Sequence, residues 1–471
     1  METLGITHSV CEKCFAIVPS KVVTDGQSVF FRKFCPQHGE TEHLVLTSVD
    51  AYLKSQRYVK PAWLPRGFSG DSAAACPEGC GFCDRHEQHL CMPIVEITSR
   101  CDLACPVCLV DAGRSWDMTL KEFRLLLDKL IEAERQVDVL NFSGGEPLQH
   151  PQLLAFVDEA LSRDQIIRVS ISTNGLRFLS DKDLLTELRE RNIVISLQFD
   201  GFREKPYEIL RGKPLLEEKL QILNMLREAN ITTSLTMTAA AGVNDNQFRQ
   251  MLDYLFANRH VVSMMIQPIA FAGRGADFTT RLLRLTIPDI TRALGEAGHP
   301  AVTESDFSPL PCSHPLCFSL AFYLLLEDGG AVAVNRLFQA DKYMDALANR
   351  VVFGLDSEEH ARLKEMIYDL WSGPAGSAPD SEAVLRTLRG ILNRISSSRF
   401  DPRQTFTLAE RYVKSIFIHA FQDAGNFDLA RARRCCNAYP QPDGRLIPAC
   451  VHNIFRRKKV QTGQVSRRGA E

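Results

Sequence analysis

The stretch "PIVEITSRCDLACPVC", residues 93–108, joins two signals. Its first half, Pro93 to Thr98, is a short apolar run rich in β-branched residues, the pattern of a strand covered on both faces. Its second half sets Cys101, Cys105 and Cys108 at the spacing C-x3-C-x2-C. A structural zinc takes four protein ligands, and an ordinary four-iron cluster takes four cysteines. The next cysteine along the chain is Cys312. A strand that runs into a three-ligand loop raises two questions: which fold the strand belongs to, and which group completes the site.

Downstream of the loop the sequence repeats itself. Apolar runs at 137–143 ("VDVLNFS"), 167–173 ("IRVSIST"), 193–199 ("IVISLQF"), 231–238 ("ITTSLTMT") and 261–269 ("VVSMMIQPI") read as further strands. Between them, stretches such as "WDMTLKEFRLLLDKLIEAERQ" and "PLLEEKLQILNMLREAN" place leucine and isoleucine at helical three and four spacing. Alternating strands and helices imply an α/β fold of parallel βαβ units with right-handed crossovers. Six units favour a curved, partial (β/α)6 barrel; strand count alone leaves a doubly wound sheet open. Ligands on such sheets sit at the carboxyl ends of the strands. Those ends are where the polar and glycine residues fall: "SGGEP" (Ser143 to Pro147), "STNG" (Ser172 to Gly175), "QFDG" (Gln198 to Gly201), Thr236 and Thr238, and "QPIAFAGRG" with Gln267. They share the predicted face of the three-cysteine loop.

The whole chain limits the alternatives. At 471 residues, 45% hydrophobic and 24% charged, it has the composition of a globular protein of about three domains. A formal charge of −2 gives no global field for nucleic acid. "METLGITHSV" shows no secretory signal, and the longest apolar run, "CFSLAFYLLL", is too short to cross a bilayer. The chain reads as cytoplasmic, with the basic tail "RRKKVQTGQVSRR" (456–468) offering a peripheral contact to anionic lipid headgroups or simply a solvated end.

All 15 cysteines fall in groups, which in a cytosolic chain favours metal over disulfides. Near the start, Cys11, Cys14, Cys35 and His38 form C-x2-C…C-x2-H around a probable strand, "VFFRKF", a zinc-ribbon or rubredoxin-like knuckle for one zinc or iron. "CPEGCGFC" repeats the C-x3-C-x2-C spacing with Cys76, Cys80 and Cys83, and Cys91 is available as a fourth ligand. No strand precedes it and no glycine-rich strand end comes after it, so it reads as a closed auxiliary four-iron cluster, with structural zinc as the alternative. Cys312, Cys317, Cys435, Cys436 and Cys450 compete for a further site, with one of the adjacent Cys435 and Cys436 expected to ligate. The expected division is a metal knuckle over 1–60, an auxiliary segment over 61–91, a barrel over 92–300 and a mostly helical, cluster-binding C-terminal domain over 301–471. The insert at 372–382 reads as an exposed loop. The apolar runs 318–326 and 412–422 read as ordinary helix core, or as the lining of a hydrocarbon tunnel.

A three-cysteine loop after a first strand and "GGEP" after a second resemble the radical S-adenosylmethionine superfamily, over roughly 91–300. The order of parts across nearly the whole chain, from "CPEGCGFCDRHEQHLC" to the late "CC…GRLIPAC", resembles the archaeal tetraether lipid synthase and dihydropterin methyltransferase-like group. The resemblance implies that S-adenosylmethionine chelates the iron left without a protein ligand, and that reduction yields a 5′-deoxyadenosyl radical. It implies that Gly144, Gly145 and Glu146 meet the methionine amino end, that Ser172, Asn174, Ser196 and Gln198 serve the carboxylate and ribose, and that Arg211 pairs the carboxylate. Val107 stands where many members have an aromatic residue. It also implies an electron donor such as flavodoxin or ferredoxin, and one or two auxiliary [4Fe-4S] clusters. Three functions are then open: C–C bond formation on an apolar, lipid-like substrate, the leading expectation; methyl or methylene transfer to a pterin-like heterocycle; and non-catalytic electron carriage. A nucleoside pocket argues against the last.

Overall fold

A computed structural model describes residues 1–457 except 69, 71–75, 78, 111–115, 135, 279–281, 328, 339–343, 346–347, 350–380 and 397–401. Nearly all of the insert at 372–382 and of the basic tail lies outside these residues.

The chain begins with a four-stranded antiparallel sheet, β1 (Glu2–Val10), β2 (Ile17–Thr24), β3 (Val29–Cys35) and β4 (Gly39–Leu46), succeeded by a short helix α1 (Val49–Ser55). Its apolar side is small: Val22, Val29, Phe31, Val45 and Leu46 are its main buried residues.

The βα alternation then appears as expected. The strands are β5 (Met92–Thr98), β6 (Val137–Gly144), β7 (Ile166–Thr173), β8 (Val194–Gln198), β9 (Thr233–Ala239) and β10 (Val261–Pro268). The helices among and after them are α2 (Leu120–Ala133), α3 (Leu153–Leu161), α4 (Lys182–Glu190), α5 (Glu204–Arg211), α6 (Leu216–Glu228), α7 (Phe248–Ala257) and α8 (Ile287–Glu296). Consecutive strands of the six pair in parallel. One parity of strand residues, including Val95, Phe142, Ile171, Leu197, Leu235 and Ile266, packs on Leu126, Phe156, Leu188, Ile222 and Leu252 of the helices. α2 starts at a capping box between Thr119 and Glu122, which satisfies two of the amide groups that a helix start leaves free.

The C-terminal part corrects the expectation for its two apolar runs. The runs read as helix core are strands: β11 (Phe318–Leu325) and, after α9 (Ser381–Ser396) and α10 (Pro402–Tyr412), β13 (Val413–His419). β13 adds parallel to β10, β11 adds antiparallel to β13, and β12 (Ala331–Ala333) adds antiparallel to β11. Past α11 (Leu429–Arg433), β14 (Asn437–Pro440) and β15 (Leu446–Pro448) join the other edge, β14 pairing in parallel with β5. The strand order is β12-β11-β13-β10-β9-β8-β7-β6-β5-β14-β15. A continuous apolar run fits a strand covered on both faces as well as a buried helix, and hydrogen bonding to β10 decides for the strand. α10 brings Glu410 to Arg168 of β7, at 2.8 Å. Among the described residues no helix is long and apolar enough to cross a membrane.

Candidate active site and metal centres

The loop carrying Cys101, Cys105 and Cys108 leaves β5 and lies against the end of β6. The Gly145 amide donates to the Thr98 carbonyl at 2.8 Å, and the Glu146 amide to the Arg100 carbonyl at 2.6 Å. A side chain on Gly144, whose φ is +122°, would come within 2.2 Å of the Thr98 oxygen; one on Gly145 would come within 2.2 Å of the Arg100 oxygen. The glycine pair is thus required where two strand-end backbones meet. The buried Glu146 carboxylate accepts from Thr173 Oγ1 at 2.6 Å, the Asn174 amide at 2.7 Å and the Leu148 amide at 3.0 Å. Burial pushes this carboxyl up to about 7 against those three donors. Glu146 therefore ties the ends of β6 and β7 together.

The other expected cofactor contacts gather at the same strand ends, each already engaged. Asn174 Nδ2 donates to Asp102 Oδ1 at 2.6 Å, fixing the cysteine loop to β7. Ser172 Oγ donates to Asn141 Oδ1 at 3.1 Å, and Ser196 shares a 3.0 Å bond with Thr236. Gln198 donates to Asp200 at 2.5 Å and accepts from Lys219 Nζ at 2.8 Å. The Arg211 fork is filled by buried Asp200, at 2.6 and 2.8 Å, and its Nη2 also donates to Thr238 Oγ1 at 2.8 Å. Val107 packs with Leu210, Ala240 and Ile269. Asp102, Asp200 and Lys219 have no role legible in the sequence. Asp200 stands in "QFDG", but its partner is set by α5 folding back over the strand end. Lys219, on α6, is fully buried and holds the Asn174 and Gln198 carbonyls at 2.5 and 2.9 Å.

The face of the sheet away from the helices is polar. In register across it stand Ser172 beside Ser196, Ser196 beside Ser234, Ser234 beside Ser263 and Ser263 beside Ser415. Glu96 lies beside Ser143 at one end of the row, and Ser415 lies beside Phe322 at the other. Phe322 and Phe417 meet edge to face at 5.7 Å, so the wall turns aromatic on β11 and β13.

The donor chemistry at Cys101, Cys105 and Cys108 fits an iron–sulfur cluster. The three thiols stand on one loop at the strand ends, and they do not converge as the ligands of a single ion do. Among the described residues, the set that converges as a single ion requires is Cys11, Cys14, Cys35 and His38, whose ligand atoms all lie within 4.8 Å of one another. Burial opposes ionisation of Cys11, yet backbone amides of Cys14 and Lys13 and the neighbouring thiols pull it down to about 6. That is the expected knuckle, built on the ends of β1 and β3.

The remaining cysteines divide differently from the expectation. Cys91 does not join Cys76, Cys80 and Cys83. Its amide donates to the Cys436 carbonyl at 2.9 Å, where β14 meets the start of β5, and its side chain packs with Cys312, Cys317 and Cys436. Cys76, Cys80 and Cys83 line one small cavity, and Cys80 packs with Cys76 and Cys450. The Cys435 carbonyl accepts from His86 Nε2 at 3.0 Å, beside that cavity, whereas Cys436 packs with Cys91, Cys312 and Cys317. The spacing alone assigns a site to one of the two adjacent cysteines.

Residues 95–255 match the radical SAM superfamily, and residues 3–47 match the HMPTM N-terminal zinc ribbon domain. The chain is 28% identical to a 7,8-dihydro-6-hydroxymethylpterin dimethyltransferase of Methanocaldococcus jannaschii, over 97% of this chain and 94% of that protein. It is 32% identical to an S-adenosylmethionine-dependent nucleotide dehydratase of Selenomonas ruminantium, over 24% of this chain and 39% of that one. Among solved structures, a radical SAM methyltransferase from Sphaerobacter thermophilus is 15% identical, at a TM-score of 0.35, covering 60% of this chain and 74% of its own. Residues 95–255 are a radical SAM domain, and the chain is a radical SAM enzyme similar over nearly its full length to a dihydropterin methyltransferase-like protein.

Proposed function

We propose that this enzyme transfers a one-carbon group to a carbon of a polar, pterin-like heterocycle. The observation that carries the reading is the polar inner face. A row of serines from β7 to β13, with Asn141 and Glu96, offers donors and acceptors to ring nitrogens and carbonyls; the serines bond to one another, to Asn141 and to Thr236, and an all-hydrocarbon substrate would leave their remaining lone pairs unused. Phe322 and Phe417 supply an aromatic wall on which a flat ring stacks. The similarity to the dihydropterin dimethyltransferase supports the same class.

Cys101, Cys105 and Cys108 would hold the [4Fe-4S] cluster, which with S-adenosylmethionine supplies a 5′-deoxyadenosyl radical for hydrogen abstraction. The strand-end network of Glu146, Asn174 and Asp102 positions the loop, and the strands wall the site from water. The zinc-ribbon residues would hold one zinc or iron. Cys76, Cys80 and Cys83 with Cys435 or Cys450, and Cys91, Cys312 and Cys436 with Cys317, would form auxiliary clusters. A one-electron donor of the flavodoxin or ferredoxin class would reduce them.

The test is turnover under strict anaerobiosis with 7,8-dihydro-6-hydroxymethylpterin and S-adenosylmethionine labelled in its methyl group. Label in the pterin together with 5′-deoxyadenosine is the expected result. Release of 5′-deoxyadenosine with an unlabelled pterin defeats the reading. A second reading, C–C coupling of apolar chains, is favoured by Phe318, Leu320, Phe322 and Phe417 along β11 and β13. It predicts coupled product from an isoprenoid or fatty chain in the same assay.

A further inference from the structure

The serines on the inner face of the sheet are donors and acceptors alike, so each can meet whichever a ligand offers. Glu96 is different. It stands on β5 in register with Ser143, on the face away from the helices, since its neighbours Val95 and Ile97 pack in the helix-side core. Among the described residues, it is the only carboxylate that strands β5 to β13 place on that face. Its Oε1 accepts from Arg457 Nη2 at 2.5 Å. Arg457 comes directly after the helical turns Ala449–Val451 and His452–Arg456, which carry it to the sheet. Its Nε donates to Asn453 Oδ1 at 2.9 Å, and its guanidinium lies over the Tyr439 ring, 5.4 Å from the centroid. The guanidinium is thus held in place, and it holds the carboxylate. Glu96 is not sealed in: 21% of its side chain stays accessible, against 8% for Arg457, and among the described residues no donor reaches its Oε2.

We propose that Glu96 selects the substrate by its N–H donors, accepting the paired N–H groups of a 2-amino-4-oxo pyrimidine ring, the edge that a pterin presents, while Arg457 holds it in position. The inference rests on the pterin reading and names the group that would recognise that ring. An ionised carboxylate has about four lone-pair sites on two oxygens. Arg457 takes one, which leaves both oxygens able to accept parallel N–H bonds from one flat edge. A hydrocarbon, or a ring edge made of acceptors, would bury the carboxylate without donors. Glu96 lies two residues, ~7 Å of strand, below Thr98 at the end of β5. A ring gripped there by its donor edge turns its far edge toward the strand ends, the side on which Cys101, Cys105 and Cys108 stand. Glu96 is a specificity-determining residue, and Arg457 is a positioning residue.

The experiment compares two ligands by calorimetry, on full-length reconstituted protein with S-adenosylmethionine and no reductant, so that binding is read without turnover. One ligand is 7,8-dihydro-6-hydroxymethylpterin. The other is its lumazine counterpart, with a carbonyl oxygen in place of the 2-amino group. The native protein should prefer the pterin on the order of a hundredfold. Glu96→Gln offers one donor and one acceptor, the complement of the lumazine edge, and should lose or reverse that preference. Glu96→Gln combined with Arg457→Met leaves no buried cation unpaired and should show the same loss; it carries the test if the single variant folds poorly. A pterin preference that survives these substitutions overturns the proposal and leaves the Glu96–Arg457 pair as a latch between the chain's last turns and the sheet. Equal binding of the two ligands by the native protein overturns it as well. Failure of the pterin reading would show differently: the native protein would bind neither ligand, and the proposal would fall with that reading.

Discussion

The N-terminal ribbon and the strand ends of the parallel sheet both gather cysteines, and they hold them in opposite ways. In the ribbon, three thiols and an imidazole converge within 4.8 Å from two loops of one small sheet. The sheet's own apolar cluster is small, so a metal held there would supply a cross-link. At the strand ends the thiols stand on one loop, and the loop is fixed by the β5 and β6 backbones and by Asn174. There the fold makes the site; in the ribbon a bound metal would make the fold. A closed ligand set suits a structural role, and a set one ligand short leaves a position for chemistry.

The difference is open to test at several scales. Cys105→Ala should lower 5′-deoxyadenosine release on the order of a thousandfold while far-UV circular dichroism and the thermal transition of the parallel sheet stay native. Loss of folding along with activity would erase the contrast. Cys35→Ala should do the converse: one metal ion is lost and the β1–β4 sheet loses its amide protection, read by hydrogen exchange, while β5–β10 amides stay protected. The scale is set by the ~10 kcal/mol or more that metal contributes to small zinc domains.

Cys83→Ala and Cys91→Ala sharpen the comparison for the two intermediate groups. Each should cost roughly one four-iron cluster, and the double variant roughly two, by iron and sulfide analysis. If the double variant loses no more than either single one, Cys91 belongs with Cys83 after all. Gly145→Val should cost about 1–3 kcal/mol of stability and deplete iron at the three-cysteine loop, because the new side chain strikes the Arg100 carbonyl. Retained iron with weakened S-adenosylmethionine binding would mean that the glycine faces the cofactor instead.

The smallest effect concerns Lys219. Its replacement by Met leaves three buried acceptors unpaired, a loss of about 1–3 kcal/mol by chemical denaturation. Burial lowers the Lys219 amine from 10.5 to about 7, so between these values the folded protein holds fewer protons than the unfolded chain. Native stability should therefore gain from this group as pH rises from about 7 toward 10.5, and the Met variant should lack that gain. Parallel pH profiles for the two proteins would show that Lys219 contributes no such gain.

The parallel strands with their helices and the cysteine loop are legible in the sequence because their signals are local. Each βα unit announces itself by a change of period, and C-x3-C-x2-C needs no partner from elsewhere. The hidden parts depend on residues far apart in the chain. "FSLAFYLLL" is apolar at nearly every position, so no period separates strand from helix until β13 and β10 are known to be beside it. Cys91 comes soon after Cys83 in sequence and groups with it by spacing, but pairing of β5 with β14 turns it toward Cys312 and Cys436. Arg211 looks free for a ligand carboxylate because its actual partner, Asp200, sits on the preceding strand end and meets it only when α5 packs down. The glycines of "SGGEP" read as approaching a ligand, and their close approach to the backbone of Thr98 and Arg100 is a second demand on them that only the fold shows.

Cys436 packs with Cys91 and Cys312, and the carbonyl of its neighbour Cys435 accepts from His86, near Cys83. If both cysteines ligate as proposed, a single peptide unit, about 3.8 Å between α-carbons, spaces the two centres, and the dipeptide keeps its length. Inserting one residue between the two cysteines would move one of them out of register, and deleting one would leave a centre short of a ligand. Drift in this part of the gene is therefore confined to substitutions, and the loops on either side must absorb every gain or loss of sequence.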